Sequence, residues 1–159
     1  MNLYVGKVVG THGIKGEIRI FSDFQFKDKI FVVGKKLIIG NQEYVIRSYR
    51  RHKNFDMVTL NDYKDINEVL FLVKKKVYVL KENLDLDEQE ILDEDLINFK
   101  VLTTDGKSGI IKEIFLASPD NKIIRVMFDH EVLIPLSSPM IKSISKEKRE
   151  VTVELLSGM

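Results

Sequence analysis

Val5-Gly6-Lys7-Val8-Val9-Gly10-Thr11-His12-Gly13-Ile14-Lys15-Gly16-Glu17-Ile18-Arg19-Ile20 reads as a strand, a glycine loop and a second strand. Tyr4 to Val9 and Glu17 to Phe21 are β-branched or alternating runs, the texture of half-buried strands. Glycine at 10, 13 and 16 suits a loop that needs positive φ, which glycine adopts without steric cost. The spacing is G-x-x-G-x-x-G. A dinucleotide fingerprint needs G-x-G-x-x-G opening a helix, and a P-loop ends in Gly-Lys-Ser/Thr. Neither is present, and a strand follows, so a nucleotide cradle is disfavoured.

More short runs continue outward from this hairpin. Leu37-Ile38-Ile39 leads to a turn at Gly40-Asn41, and Tyr44-Val45-Ile46 and Met57-Val58-Thr59-Leu60 follow. One helix is predicted among them. Asp65 with Glu68 makes a capping-box-like start. Ile66, Val69, Leu70 and Val73 then fall at i, i+3, i+4 and i+7. Lys74-Lys75-Lys76 suits its C-terminal end, and Val77 to Leu80 reads as a closing strand. Beyond Leu96, Phe99 to Thr104 and Gly109 to Leu116 flank Asp105-Gly106, a strong hairpin signal. Strands are also predicted at Ile123 to Phe128, Val132 to Ile134 and Val151 to Leu155. The fold class expected is all-β: two small antiparallel barrels, residues 1–81 and 96–159, joined by an acidic linker at 82–95.

The 159 residues carry a net charge of only +1. Residues 1–81 hold 16 Lys+Arg against 8 Asp+Glu, residues 82–95 hold 8 acids and no base, and residues 96–159 hold 9 bases and 8 acids. A basic block on a near-neutral protein points to an anionic partner, nucleic acid first. Cysteine is absent, which excludes disulfides, thiolate nucleophiles and thiolate metal sites. No signal-peptide pattern opens the chain and no apolar run reaches a membrane span, so a soluble protein of a reducing cytoplasm is expected.

Candidate chemistry is sparse. His12 could be a general base, but no nucleophile context lies beside it, and His12, His52 and His130 lack metal-ligand spacing. Read as a calcium loop from Asp85, the acidic stretch puts Glu90 where glycine is required. The basic run Arg47, Tyr49, Arg50, Arg51, His52, Lys53 is more informative. On a strand from Tyr44 to Arg51, Arg47, Tyr49 and Arg51 share one face, suited to RNA through guanidinium–phosphate contact and base stacking. A charged edge strand, protected from aggregation, is the alternative. Lys15 and Arg19 could extend the same positive surface.

The Val5–Ile20 stretch resembles the N-terminal signature of the RimM family of ribosome maturation factors: a glycine–lysine strand, His-Gly, two residues, Gly-Glu and an alternating strand. The second half resembles that family's PRC-barrel domain through Asp95-Leu96-Ile97, Thr104-Asp105-Gly106 with Gly109, Val132-Leu133-Ile134-Pro135 and the ending Val151 to Met159. The resemblance implies a factor without catalysis. It would bind a head protein of the small ribosomal subunit, protein nineteen, and assist head assembly and 16S rRNA maturation on the immature subunit. No cofactor, membrane or small-molecule substrate is implied, and a monomer is expected. Many members carry a Tyr-Tyr pair that supports ribosomal-protein binding, where this chain has Ile91 and Leu92. The glycine after the Asp-Leu-Ile run is Asn98 here, and Val73 stands near another common glycine. Ile91, Leu92 and Leu96 are the candidates for the ribosomal-protein contact, as apolar packing against the partner or as internal packing. His12, Lys15, Arg19, Arg50, Arg51 and Lys53 are the candidates for facing RNA or the ribosome. The alternatives are an RNA-processing enzyme, which would need paired carboxylates for metal or a cofactor loop, and a generic PRC-barrel binding module.

Overall fold

The structure is a computed structural model and describes residues 1–159. The chain divides into two compact units, Met1–Asp85 and Leu86–Met159. Both are built mainly of strands, as the sequence leads one to expect.

In the first unit, β1 (Asn2–His12), β2 (Glu17–Phe21), β3 (Lys36–Ile39), β4 (Gln42–His52), β5 (Phe55–Leu60) and β6 (Lys76–Leu80) close a barrel in the order β1-β2-β5-β4-β3-β6. Every pairing is antiparallel. Leu3, Val5, Val8, Ile18, Ile20, Ile46, Val58, Leu60, Val77 and Val79 turn inward and are buried. Side chains of this size contribute about 1.5–3 kcal/mol each when fully buried. Strand β1 shifts register twice, between Tyr4 and Gly6 against β6 and between Val8 and Gly10 against β2. At the first shift the backbones crowd: a Cβ on Gly6 would lie 2.5 Å from the Phe21 carbonyl oxygen.

The helix predicted from Asp65 is instead two 3₁₀ turns, Ile66–Glu68 and Leu70–Leu72. Its capping residues work as their types suggest. Asp65 Oδ1 accepts from the Asn67 N–H at 2.8 Å, and Glu68 Oε1 accepts from the Lys64 N–H at 3.0 Å. An α-helix fails to propagate because the chain is drawn back onto β1. Lys74 N–H donates to the Val8 carbonyl at 2.8 Å, and Val8 N–H donates to the Lys75 carbonyl at 2.9 Å. Lys74 meets this geometry with a φ of 75°, next to Val73. The expected apolar face splits accordingly: Val69 is buried and Leu70 is exposed. The one α-helical turn of this unit, α1 (Lys27–Ile30), lies where no helix is predicted.

The second unit carries α2 (Asp93–Leu96), β7 (Lys100–Thr103), β8 (Ser108–Ser118), β9 (Asn121–Met127), β10 (Glu131–Pro135), β11 (Ile141–Ser145) and β12 (Glu150–Val153). Its sheet order is β10-β9-β8-β7-β12-β11. The pairing departs from the expected antiparallel pattern at one place, where β12 runs parallel to β7, with Val151 opposite Val101. The last strand returns beside the first, a non-local pairing that no turn signal announces. The β7–β8 hairpin forms as the Asp-Gly signal requires, with Gly106 at φ 94° and Lys107 N–H donating to Thr103 Oγ1 at 2.7 Å. Strand β11 has no apolar alternation and is not predicted. The core contains Ile91, Leu96, Phe99, Val101, Ile111, Ile124, Ile134 and Val151.

Candidate nucleic-acid interface

Strand pairing gathers cations on the outside of the first barrel. His12 lies opposite Glu17, Gly10 opposite Arg19, Arg19 opposite Met57, Met57 opposite Arg50, and Phe55 opposite His52. Directly paired residues share a face, so His12, Glu17, Arg19, Arg50 and His52 stand together across β1, β2, β5 and β4.

Arg50 grips Glu17 with a two-pronged contact, Nε to Oε2 at 2.9 Å and Nη2 to Oε1 at 2.7 Å. This hydrogen bonding holds the Glu17 carboxyl below its ordinary pKa and raises that of Arg50. The His12 and His52 rings lie 5.3 Å apart. His52 is pushed below the usual histidine range, first by desolvation and then by Arg50, His12, Lys53 and Arg19. The Arg19 guanidinium sits 5.6 Å from the centre of the Phe55 ring, and its Nε is buried with no partner inside the protein. One carboxylate therefore faces two guanidinium groups and two imidazoles, an arrangement suited to phosphate.

Arg51 points elsewhere. Its Nη1 lies 3.5 Å from the fully buried Asp56 carboxylate. Asp56 also accepts from the Tyr49 hydroxyl at 2.7 Å and from Lys27 Nζ at 2.9 Å. Burial and this bond to the carboxylate push the Tyr49 phenol up to about 12. The Tyr49 ring stacks on Phe31 at 5.8 Å, nearly parallel. Tyr49 and Arg51 thus share a side, as alternation predicts, and they converge on a buried acid. Arg47 falls at a register shift between Ile46 and Ser48.

Lys15 and Lys53 occupy exposed turns after His12 and His52, at the end of the barrel where those rings meet. Lys53 is left-handed at φ 54°. In the first turn Gly13 and Gly16 have positive φ, whereas Gly10 does not and instead lies in β1 at its second register shift. The Ile66 N–H donates to the Ile14 carbonyl at 3.0 Å and ties this loop down. Of the six candidates, His12, Arg19 and Arg50 come together, Arg51 is turned to Asp56, and Lys15 and Lys53 flank. His52, which belongs to the basic run but not to the six candidates, and Phe55, which the sequence does not single out, complete the cluster. The period-two spacing from Arg50 to His52 was the signal available.

Ile91, Leu92 and Leu96 are only 7%, 5% and 3% exposed, and Ile91 and Leu96 belong to the core of the second unit. Outward, the same segment presents Glu88 and Glu94 to solvent. Its φ of 74° at Asn98 explains how asparagine serves at a glycine position, since its short polar side chain tolerates the left-handed region. No group of three or more His, Asp or Glu is placed to hold a metal ion, and no helix is long and apolar enough to cross a membrane.

Residues 3–84 match the family model described as the RimM N-terminal domain. The ribosome maturation factor RimM of Listeria monocytogenes is 33% identical over 98% of this chain and 95% of its own. That of Bacillus mycoides is 34% identical over 98% of this chain and 96% of its own. A crystal structure from Pseudomonas aeruginosa, provisionally named as a 16S ribosomal RNA processing protein RimM, is 18% identical, covers all of both chains and gives a TM-score of 0.49.

Proposed function

The chain belongs to the RimM family of ribosome maturation factors, and from that premise we propose that it works by binding rather than by catalysis. It engages the immature small subunit in the cytoplasm as a monomer and approaches 16S rRNA through the outer face of its first barrel. It also holds a head protein of the small subunit, protein nineteen. A factor that binds one RNA–protein arrangement better than its competitors raises the population of that arrangement, and no bond need be made or broken.

The observation that carries the RNA contact is the convergence of Arg19, Arg50, His12 and His52 on one face, with Lys15 and Lys53 at its end. Arg51 stands apart from that face, turned to Asp56. Purified protein binding to immature small subunits across a salt series tests it. A steep fall in affinity with salt is expected, because phosphate contacts release counterions. A flat response rules out phosphate contact.

The ribosomal-protein contact is assigned to the segment around Ile91, Leu92 and Leu96. Buried apolar side chains there shape the backbone, and the acidic residues beside them offer charge to a basic partner. Exchanging the exposed Glu88 and Glu94 for lysine is expected to abolish co-purification of the head protein. Unchanged co-purification removes this segment from the contact.

A further inference from the structure

A second feature of the first barrel lies outside the residues assigned so far. Lys7 of β1 is paired directly with Lys76 of β6 on one side and with Phe21 of β2 on the other. Two residues along β6, and three along β1 across its register shift, Tyr4 faces Tyr78, with the rings edge-on at 5.8 Å and 71°. Tyr4 is 53% exposed and Phe21 50% exposed.

Like charges directly opposite one another destabilise a strand pair, and here nothing inside the protein offsets them. Neither lysine has a carboxylate partner. Glu82 is taken by the terminal amine at 2.7 Å, Glu43 faces Lys36 at 3.4 Å, and Glu17 is held by Arg50. A pair of uncompensated ammonium groups flanked by exposed rings fits a ligand that carries both anionic links and flat apolar faces. Single-stranded nucleic acid is that ligand, since its bases are free to stack on aromatic side chains while lysines follow the backbone. The face is also continuous with the arginine–histidine cluster, because Glu17, Arg19 and Phe21 succeed one another by twos on the same side of β2.

We propose that the outer face of β6, β1 and β2 is a single-strand RNA subsite, in which Lys7 and Lys76 hold the backbone and Phe21 and Tyr4 receive bases. It rests on the reading of this chain as a factor that approaches RNA, and extends the contact to unpaired nucleotides.

The test uses the full chain with two probes, a short single-stranded oligoadenylate and an RNA duplex. The chain has no tryptophan and five tyrosines, so quenching of tyrosine emission on adding oligoadenylate reports stacking. Wild type is expected to prefer the single strand and to be quenched. Replacing Lys7 and Lys76 by serine should reduce the salt slope of single-strand binding by about 1.4. Phe21→Ala should weaken it roughly 5- to 160-fold, and Phe21→Tyr should keep it. Circular dichroism confirms folding of each variant. Wild-type binding by these variants, alongside loss in Arg19→Ala/Arg50→Ala, overturns the subsite and leaves the RNA contact standing. Failure of wild type to bind either probe overturns both. Unchanged oligoadenylate binding with lost capture of a ribosomal protein gives the face to protein and overturns the subsite.

Discussion

Replacing Asp56 by alanine should cost the first unit about 3 kcal/mol. Asp56 is fully buried and serves three donors, Tyr49 Oη at 2.7 Å, Lys27 Nζ at 2.9 Å and Arg51 Nη1 at 3.5 Å. The Arg51 side chain is half exposed, so it rehydrates and its loss counts for little. Lys27 is about a quarter exposed and recovers part of its hydration. The Tyr49 hydroxyl and the Lys27 ammonium lose charge-assisted bonds of roughly 1.5–3 kcal/mol each. Breaking a buried pair from one side costs about 3–5 kcal/mol, and the access of Lys27 to water places this case at the lower end. A unit of this size has roughly 4–13 kcal/mol in total, and the melting temperature should fall by about 12–24 °C. All five tyrosines, at 4, 44, 49, 63 and 78, lie in this unit. Near-ultraviolet circular dichroism of tyrosine therefore follows its unfolding alone. Tyr49→Phe should cost about 1.5–3 kcal/mol, and the double variant should cost less than the sum because the two share one bond. A loss under about 1 kcal/mol in Asp56→Ala would falsify the role given to the buried carboxylate.

Three further outcomes follow from the same geometry. The His52 pKa is lowered by desolvation and neighbouring cations; bound phosphate restores it, so RNA binding takes up a proton. Affinity at constant salt should rise as pH falls below about 6.5, and His52→Gln should flatten that rise. Tyr49 carries a raised folded pKa of about 12. Its stabilising effect is complete below the unfolded value near 10 and is lost as pH climbs toward 12; ultraviolet titration should show a late tyrosine that disappears in Tyr49→Phe. Ile91→Ala should destabilise the second unit by about 2–4 kcal/mol in urea unfolding, and head-protein capture should decline only as that unit unfolds. Full stability with lost capture would make Ile91 a contact residue instead of core.

The fold class was legible in the sequence because strands announce themselves locally. Ile18 between Glu17 and Arg19, or Val151 and Val153 around Thr152, alternate with polar neighbours, and Asp105-Gly106 specifies its own turn. The family signature at Val5–Ile20 was legible for the same reason, being contiguous. What stayed hidden depends on residues far apart in the chain. The periodic run from Ile66 to Val73 favoured an α-helix, yet hydrogen bonds between Val8 and Lys74–Lys75 won over local propensity and left two 3₁₀ turns. The parallel partnership of β12 with β7 needs the whole second unit to close.

The candidate site divides along the same line. Charge counting located the basic block, and the glycine loop beside it pointed to His12, Lys15, Arg19, Arg50, Arg51 and Lys53. Alternation alone puts Arg50 and Arg51 on opposite faces; only the pairing of β1, β2, β5 and β4 brings Arg50 to Glu17 and Arg51 to Asp56. A period-two backbone sends adjacent residues to opposite faces, and a bulge such as that beside Ile46 resets the alternation without any sequence mark. Burial acted likewise on Ile91 and Leu92: their apolar character was plain from composition, but that Ile91 joins the core of the second unit and that Leu92 is buried was decided by the tertiary structure.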